Sequence, residues 1–265
     1  MITILMGKSS SGKDTLLNEL KEYDFKPLIS TTSRPMRDGE TEGVQYHFTS
    51  NEDFENRLAK GDFLEHRAYK TEVDGKPVTW YYGCPKCDLE KDVDYVVILD
   101  VEGAEKFLEY YGRENCFVVE LDCPPLKSME RAMARENIVA DNSPEYFKWQ
   151  SEWENRRKKD DKDFREELTK EVANYTMHTG GLDVEEMTND FLEVYNAYYS
   201  HEKEEGKQYL CFLNLINGTY YEPPYWETYV IERGEYERLQ EAERLAEDEY
   251  NEWAENEWNE WLGKE

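Results

Sequence analysis

The chain has 265 residues and a formal net charge of −28, with a pI near 4.5. A chain of this length can bury the core of one main domain and still carry an appended segment. So acidic a surface repels phosphate backbones and anionic lipid alike, which argues against nonspecific nucleic-acid binding and against a membrane partner.

The N-terminus leads directly into the apolar run Ile2 to Leu5 without the features of a secretory signal, and no 18 consecutive residues are apolar. These features predict a cytoplasmic protein. Five cysteines, an odd number, favour free thiols over a disulfide framework. Cys84 and Cys87 have the spacing of half a zinc knuckle or of a redox pair, but no second such pair follows them.

The segment directly after the first apolar run predicts a phosphate-binding loop (P-loop) between a strand and a helix. Its glycines allow a tight turn whose backbone N–H groups converge on phosphate oxygens, while the helix N-terminus and a lysine add positive charge. ATP is therefore an expected ligand. The candidate ATP-binding residues are Gly7, Ser9, Ser10, Ser11, Gly12, Lys13, Asp14 and Thr15.

The loop departs from the usual pattern at Asp14, because a Ser or Thr that binds magnesium normally follows the lysine. Asp14 could reach Mg²⁺ directly or through water, or it could repel phosphates and mark a loop without nucleotide. The coincidence of strand, glycines, lysine and the neighbouring Thr15 favours a functional loop. We predict a magnesium site at Asp14 and Thr15, with Asp100 acting partly through water. The Gly-Lys-Asp-Thr ending also resembles phage-type deoxynucleoside monophosphate kinases.

Residues 28–48 contain two arginines three positions apart, Arg34 and Arg37. Their planar guanidinium groups can bind one phosphate, and the hydroxyls of Ser30 and Tyr46 can complete its shell. A solvated basic loop is the alternative, but in so acidic a chain an arginine pair favours a binding site. This segment therefore predicts a nucleoside monophosphate site.

The same segment strongly resembles the guanylate kinase family, whose monophosphate-binding region reads Ser-x-x-x-Arg-x-x-Arg-x-Gly-Glu-x-x-Gly-x-x-Tyr-x-Phe. The matching positions are Ser30, Arg34, Arg37, Gly39, Glu40, Gly43, Tyr46 and Phe48. The resemblance covers roughly residues 1–198. It implies transfer of the γ-phosphoryl group of MgATP to GMP or dGMP, with small nucleotides as partners. The catalytic residues that it implies are Lys13, Arg34, Arg131, Arg135 and Arg156.

Further segments resemble the family's base-recognition elements. Phe63-Leu64-Glu65 is similar to the strand whose glutamate reads guanine, and Trp80 to Cys84 is similar to its Tyr-Tyr-Gly-Ser segment. Cys84 replaces a serine, and a thiol is the weaker hydrogen-bond partner, so base selectivity is expected to be looser. The implied GMP-binding residues are Ser30, Arg34, Arg37, Tyr46, Glu65, Tyr82, Cys84 and Glu102.

The region between Glu65 and Tyr82 is about eight residues longer than in the family, and its Asp74-Gly75 pair predicts a longer hairpin.

Arg131 and Arg135, four apart on a predicted helix, fall on one helix face. Residues 136–163 resemble the family's lid, with Arg156 or Arg157 as its far arginine. A solvated charged helix explains the latter pair almost as well.

Predicted strands at 2–6, 27–31, 95–100, 116–121 and 174–178 alternate with predicted helices at 14–22, 103–111, 126–135 and 185–199. This alternation predicts an α/β fold of the P-loop NTPase class: a parallel sheet flanked by helices, a monophosphate-binding insert at about 34–90, a helical lid and a small C-terminal α+β extension. The predicted guanylate kinase-like domain spans residues 1–200.

Residues 201–265 form a predicted separate module, with 18 acidic against 6 basic residues and four of the seven tryptophans. Residues 209–216, an Asn217-Gly218 turn and residues 219–221 predict a hairpin, and a long helix follows from Glu235. Its tryptophans predict packing on the kinase core or a second copy, and less readily a protein partner. Two further readings stay open: a broader deoxynucleoside monophosphate kinase, and an inactive guanylate kinase-like interaction module.

Overall fold

A five-stranded parallel sheet lies at the centre of the computed structural model, which describes residues 1–37, 39–73, 76–141, 143–202, 208–216, 225–241 and 244. The strands are β1 (Ile2–Met6), β2 (Lys26–Pro27), β3 (Thr31–Thr32), β4 (His47–Phe48), β5 (Phe63–Val73), β6 (Lys76–Pro85), β7 (Tyr95–Ile98), β8 (Cys116–Asp122), β9 (Tyr175–His178), β10 (Tyr209–Ile216) and β11 (Tyr225–Glu232). The helices are α1 (Lys13–Leu20), α2 (Asn51–Ala59), α3 (Val101–Tyr111), α4 (Pro125–Arg135), α5 (Pro144–Asp163), α6 (Glu166–Val172) and α7 (Val184–Ser200).

The order of the central sheet is β2-β7-β1-β8-β9, with every neighbouring pair parallel. β1 is its middle strand and is completely buried, so its side chains alternate between two apolar clusters. Leu5 packs with residues of α1 and α7 on one face, whereas Ile4 packs with residues of α3 on the other. This sheet with helices on both faces confirms the predicted α/β fold.

A second sheet, of order β4-β3-β6-β5, forms the insert that carries the two arginines. The predicted strand at 27–31 is wrong as a single element. Lys26–Pro27 pairs with β7 in the central sheet, whereas Thr31–Thr32 pairs with β6 in the insert, because the chain crosses from one sheet to the other between them. Ser50 caps α2 by accepting the Asp53 N–H at 3.0 Å.

The long hairpin predicted after Glu65 is present, because β5 and β6 pair in antiparallel register up to Val73 opposite Lys76. Asp74 and Gly75 themselves lie outside the described residues. The predicted lid, residues 136–163, contains the segment that follows α4 and the 20-residue helix α5. Among the described residues, no helix combines the length and the apolar composition needed to cross a bilayer.

The hairpin near the C-terminus uses a different second strand from the predicted one. β10 pairs with Tyr225–Glu232 rather than with residues 219–221, which lie outside the described residues together with the Asn217-Gly218 turn. Residues 233–241 are helical, and the tryptophans at 253, 258 and 261 lie outside the described part of the chain. Tyr209 and Cys211 of β10 are buried in the apolar cluster that contains residues of α7, so this hairpin packs on the core of the central sheet.

Asn174 joins the edge of the central sheet to β10. Its Oδ1 accepts the Val118 N–H at 2.7 Å, its Nδ2 donates to the Tyr209 carbonyl at 2.6 Å, and its own carbonyl accepts the Cys211 N–H at 2.7 Å. Asn174→Ala should destabilise the protein by about 2–3 kcal/mol, because buried polar groups lose their side-chain partners. Urea unfolding would measure this change, with Asn115→Ala, an exposed asparagine, as control. An unchanged midpoint would contradict it.

Candidate active site

The loop between β1 and α1 has the backbone of a phosphate cradle. Gly7 and Gly12 adopt φ values of 143° and 109°, and Ser10 adopts 60°. A Cβ on Gly7 would collide with the Leu121 carbonyl oxygen, so this position requires glycine. Gly12 begins α1 without a side-chain cap, which leaves the first N–H groups of the helix directed at the loop. The buried Ser10 hydroxyl has no hydrogen-bond partner among the described residues.

Lys13 folds back across this loop. Its Nζ donates to the carbonyl oxygens of Gly7 and Lys8, both at 2.8 Å, and lies 3.4 Å from Ser11 Oγ. Burial lowers the pKa of Lys13, and the carboxylates of Asp14 and Asp160 act in the opposite direction. The lysine charge therefore sits at the centre of the loop, where bound phosphates would meet it.

Helix α5, which lies in the predicted lid, places two carboxylates on the loop. Asp160 Oδ2 accepts the Ser9 N–H at 2.7 Å, and Asp161 forms an ion pair with Lys8 at 2.7 Å. A backbone N–H of a phosphate cradle thus holds a side-chain carboxylate in this structure. The sequence predicted arginines of the lid near the nucleotide, and not this carboxylate. Nucleotide phosphates would compete with Asp160 for the Ser9 N–H.

Asp160→Ala should lower the KM for MgATP about fivefold, because removal of one charge-assisted hydrogen bond frees the Ser9 N–H for a phosphate oxygen. Steady-state kinetics with varied MgATP would measure the change. Glu154→Ala, an exposed acidic residue of the same helix, is the matched control for the loss of charge. A higher KM in the Asp160 variant would show instead that its carboxylate assists nucleotide binding.

The predicted monophosphate site contains a buried arginine. Arg34 is 4% exposed, and its guanidinium forms two hydrogen bonds to the Glu40 carboxylate, at 2.7 and 2.9 Å. The Arg34 hydrogen bond holds the pKa of Glu40 below its ordinary value. Arg34 also lies over the Tyr46 ring, and burial raises the pKa of Tyr46 to about 12. Arg37, by contrast, is exposed at the mouth of this site.

Glu65, the predicted reader of the base, lies in the interior of the insert. It is 4% exposed and accepts the Cys84 N–H at 3.0 Å. Burial raises the pKa of Glu65 above its ordinary value, although the nearby Arg67 guanidinium acts in the opposite direction. Glu102, the other predicted base contact, has a 66% exposed side chain that pairs with Lys106 at 2.6 Å.

The three predicted lid-side arginines have protein partners. Arg131 donates to the Thr179 carbonyl at 2.6 Å and to the Ser11 carbonyl at 3.2 Å, which ties α4 to the phosphate loop. Arg135 and Arg156 meet at the Glu136 carboxylate, at 3.0 and 3.6 Å. The alternative that Arg156 lies on a solvated surface is consistent with its 42% exposure.

The oxygen donors at the start of α1 fit a magnesium ion. Asp14 and Thr15 are exposed in the first helical turn, and carboxylate and hydroxyl oxygens suit this hard cation. No group of three His, Cys, Asp or Glu side chains in the described residues could hold a metal, so phosphate oxygens would have to supply further ligands. Asp100 caps α3 through the Gly103 N–H at 2.9 Å and pairs with Arg67, and its metal role stays a prediction.

One cavity of about 930 Å³ joins the two halves of the site. Its walls include residues of the phosphate loop, of the predicted monophosphate site and of α4. Among the predicted site residues, it is lined by Ser10, Gly12, Asp14, Thr15, Ser30, Arg34, Arg37, Tyr46, Tyr82, Arg131 and Arg135. The structure therefore brings together most of the candidates from both motifs in a space large enough for nucleotide phosphates.

Comparison with known proteins agrees with this geometry. The guanylate kinase family model matches residues 1–110. Residues 1–110 are therefore similar to guanylate kinases. A guanylate kinase of Clostridium perfringens (strain 13) is 39% identical over 151 residues, which is 55% of this chain and 64% of the relative. One of Clostridium tetani is 35% identical over 148 residues, which is 54% of this chain and 66% of the relative.

The chain thus spans less than two thirds of the length of these guanylate kinases. The crystal structure of a guanylate kinase from Anaplasma phagocytophilum has the same fold, with a TM-score of 0.52 at 23% identity, over 78% of this chain and 89% of that one. The insert also contains two charged contacts that the sequence did not indicate, Glu40 against Arg34 and Arg67 against Glu65. Only the match of Glu40 to the family pattern offered a signal.

All five cysteines lie within the described residues, and none of them forms a disulfide. Cys84 is buried, whereas the Cys87 thiol lies 3.6 Å from the Pro85 carbonyl oxygen. The described residues contain no metal-binding group around this Cys-x-x-Cys pair. Cys84 therefore enters the candidate site through its place opposite Glu65 in the β5–β6 ladder, and not through the Cys-x-x-Cys spacing.

Proposed function

We propose that this protein is an ATP-dependent guanylate kinase, which transfers the γ-phosphoryl group of MgATP to GMP or dGMP. The observation that carries the proposal is the cavity in which the phosphate loop faces Arg34, Arg37, Tyr46 and Tyr82. The match of residues 1–110 to the guanylate kinase family model supports it. Direct transfer requires donor and acceptor phosphates in one water-poor space, which such a cavity provides.

In the proposed reaction, an oxygen of the acceptor phosphate attacks the γ-phosphorus, the new P–O bond forms, and the bond to the leaving ADP oxygen breaks. Lys13 and the N–H groups of the loop hold the donor phosphates, while Arg34 and Arg37 hold the acceptor. Bound magnesium would neutralise phosphate charge, with Asp14 and Thr15 as its protein-side oxygens. Arg131 fixes the position of α4, and Arg135 extends from α4 into the cavity.

The lid must move for ATP to bind, because Asp160 holds the Ser9 N–H. Once the carboxylate leaves, α5 can return over the nucleotide and exclude water, which would otherwise accept the phosphoryl group. We also propose that residues 201–265 form a separate module, and that the C-terminal helix mediates self-association or binds a protein partner. The packing of β10 on the core supports a module that is attached to the kinase rather than free of it.

The test is ADP release from MgATP by the purified chain with GMP, dGMP, AMP, dTMP and CMP in parallel, with Lys13→Ala as the blank. Turnover with the guanine nucleotides alone is the expected result. Turnover with several deoxynucleotides would favour the broader kinase, which the buried thiol at Cys84 makes the second candidate. Activity no higher than that of Lys13→Ala with every acceptor would overturn the proposed kinase function and would favour the inactive interaction module.

A further inference from the structure

Arg67 lies on the same face of β5 as Glu65, two residues away. Along this strand Glu65 is buried and Arg67 is partly buried. The alternate residues His66 and Ala68 are exposed. Because side chains of a strand alternate between its two faces, the Arg67 guanidinium is directed to the side that carries the predicted base reader. In the β5–β6 ladder, Arg67 stands opposite Tyr82, which lines the cavity.

Two carboxylates fix the guanidinium at this place. Arg67 Nη1 forms an ion pair with Asp100, and Nη2 lies 3.5 Å from Glu65 Oε2. Asp100 is itself held by the Gly103 N–H. A Cβ at position 103 would lie 3.0 Å from Arg67 Nη2, so the glycine leaves room for the arginine. A guanidinium has five N–H donors, and the contacts of Arg67 with Asp100, Glu65 and the Tyr69 hydroxyl leave others for a ligand.

Guanine presents two edges that need opposite partners. Its N1–H and 2-amino group donate, and its O6 and N7 accept. Glu65 offers carboxylate oxygens to the first edge. The second edge needs a donor, and Cys84, directly opposite Glu65 in the ladder, offers only a buried thiol, which donates weakly.

We propose that Arg67 reads the O6 and N7 edge of guanine, so that Glu65 and Arg67 together recognise the base. The inference rests on the proposed guanylate kinase function and names the residue that sets its base specificity. A guanidinium matches two neighbouring acceptors, as it does when arginine reads guanine in the DNA major groove. Adenine has a 6-amino group, a donor, in place of O6. Two donors, this amino group and a guanidinium N–H, would then face each other. Arg67 therefore compensates for the weak donor at Cys84.

The experiment measures equilibrium binding of four nucleotides to the full chain: GMP, 6-thio-GMP, 7-deaza-GMP and IMP. The sulfur analogue weakens the acceptor at position 6, the 7-deaza analogue removes N7, and IMP lacks the 2-amino group. Wild type should bind 6-thio-GMP and 7-deaza-GMP more weakly than GMP. Arg67→Met should lower GMP affinity about tenfold or more, lower the affinity for the two altered-edge analogues much less, and keep the GMP-to-IMP ratio within about threefold.

Lys70→Met is the matched control, because Lys70 lies on the exposed face of the same strand and its loss removes the same charge. Equal losses for GMP and both altered-edge analogues, with a collapsed GMP-to-IMP ratio, would overturn the proposal and show that Arg67 acts through Glu65. If Arg67→Met does not fold, Arg67→Lys keeps the charge but lacks the planar fork. A wild-type binding profile in Arg67→Lys for all four nucleotides would overturn the proposal.

Binding and turnover separate this inference from the proposed function. A chain that phosphorylates GMP but binds 6-thio-GMP and 7-deaza-GMP as tightly as GMP keeps its kinase function and overturns the role of Arg67. A chain that binds GMP with the expected dependence on its O6 and N7 edge, but releases no ADP, overturns the kinase and supports Arg67 as the base reader.

Discussion

Replacement of Lys13 by methionine should reduce phosphoryl transfer by at least about a thousandfold, while the protein stays folded. The lysine Nζ lies at the centre of the phosphate loop, 2.8 Å from the carbonyl oxygens of Gly7 and Lys8. Transfer of a phosphoryl group involves little covalent chemistry for the protein, so the rate depends on positioning and on neutralisation of developing charge. Methionine keeps most of the length of the side chain and removes the charge.

Initial rates of ADP formation at saturating GMP would measure this loss, with thermal unfolding to show that the fold persists. Lys8→Met is the matched control: it removes the same charge from the same loop, but Lys8 points outward to Asp161 and is 45% exposed. We expect the control to keep its rate within about threefold. Comparable losses in both variants would mean that the net charge of the loop, rather than the placement of Lys13, determines the rate.

The parts of the site that sequence predicted are those that short segments encode. The phosphate loop needs only a strand, two glycines, a lysine and a helix start, all within residues 2–20, and local backbone geometry then places the N–H groups. The Ser50 cap of α2 is equally local, because a hydroxyl accepts an N–H three residues later. Where each element's partner is its neighbour along the chain, the sequence pattern was sufficient.

The parts that sequence could not predict depend on distant partners. The Asp160 carboxylate meets the Ser9 N–H across 151 positions, and no composition or period of α5 indicates which of its many acidic residues will do so. The strand that pairs with β10 is a similar case. Residues 219–221 and Tyr225–Glu232 are both rich in β-forming residues, and register along the hairpin, not propensity, selects the second.

The contact between Arg34 and Glu40 was partly predictable from the sequence and partly not. Both residues fall on the family pattern, so their presence was predicted, but the pattern does not say that they bind each other. In the structure Glu40 occupies two donors of the arginine that is predicted to hold the acceptor phosphate. The carboxylate therefore fixes the orientation of the guanidinium, which leaves less conformational entropy to lose when a phosphate binds.

Arg34→Met should consequently have two separable effects. We expect kcat/KM for GMP to fall by at least about a thousandfold, because the acceptor phosphate loses its buried guanidinium. We also expect a loss of about 3 kcal/mol of unfolding free energy, because the variant leaves the Glu40 carboxylate, 17% exposed, without its main partner. GMP-dependent turnover and urea unfolding at pH 7 would measure the two quantities.

A second substitution separates the two effects. Arg34→Met combined with Glu40→Gln removes the uncompensated charge, so it should recover most of the lost stability and none of the activity. The stability difference between the single variant and wild type should shrink as the pH falls below the ordinary glutamate pKa. The lowered pKa of Glu40 in the folded protein means that the ion pair stabilises the fold at neutral pH and is lost on protonation. Recovery of turnover in the double variant would contradict the assignment, since it would show that stability, and not phosphate binding, had limited the single variant.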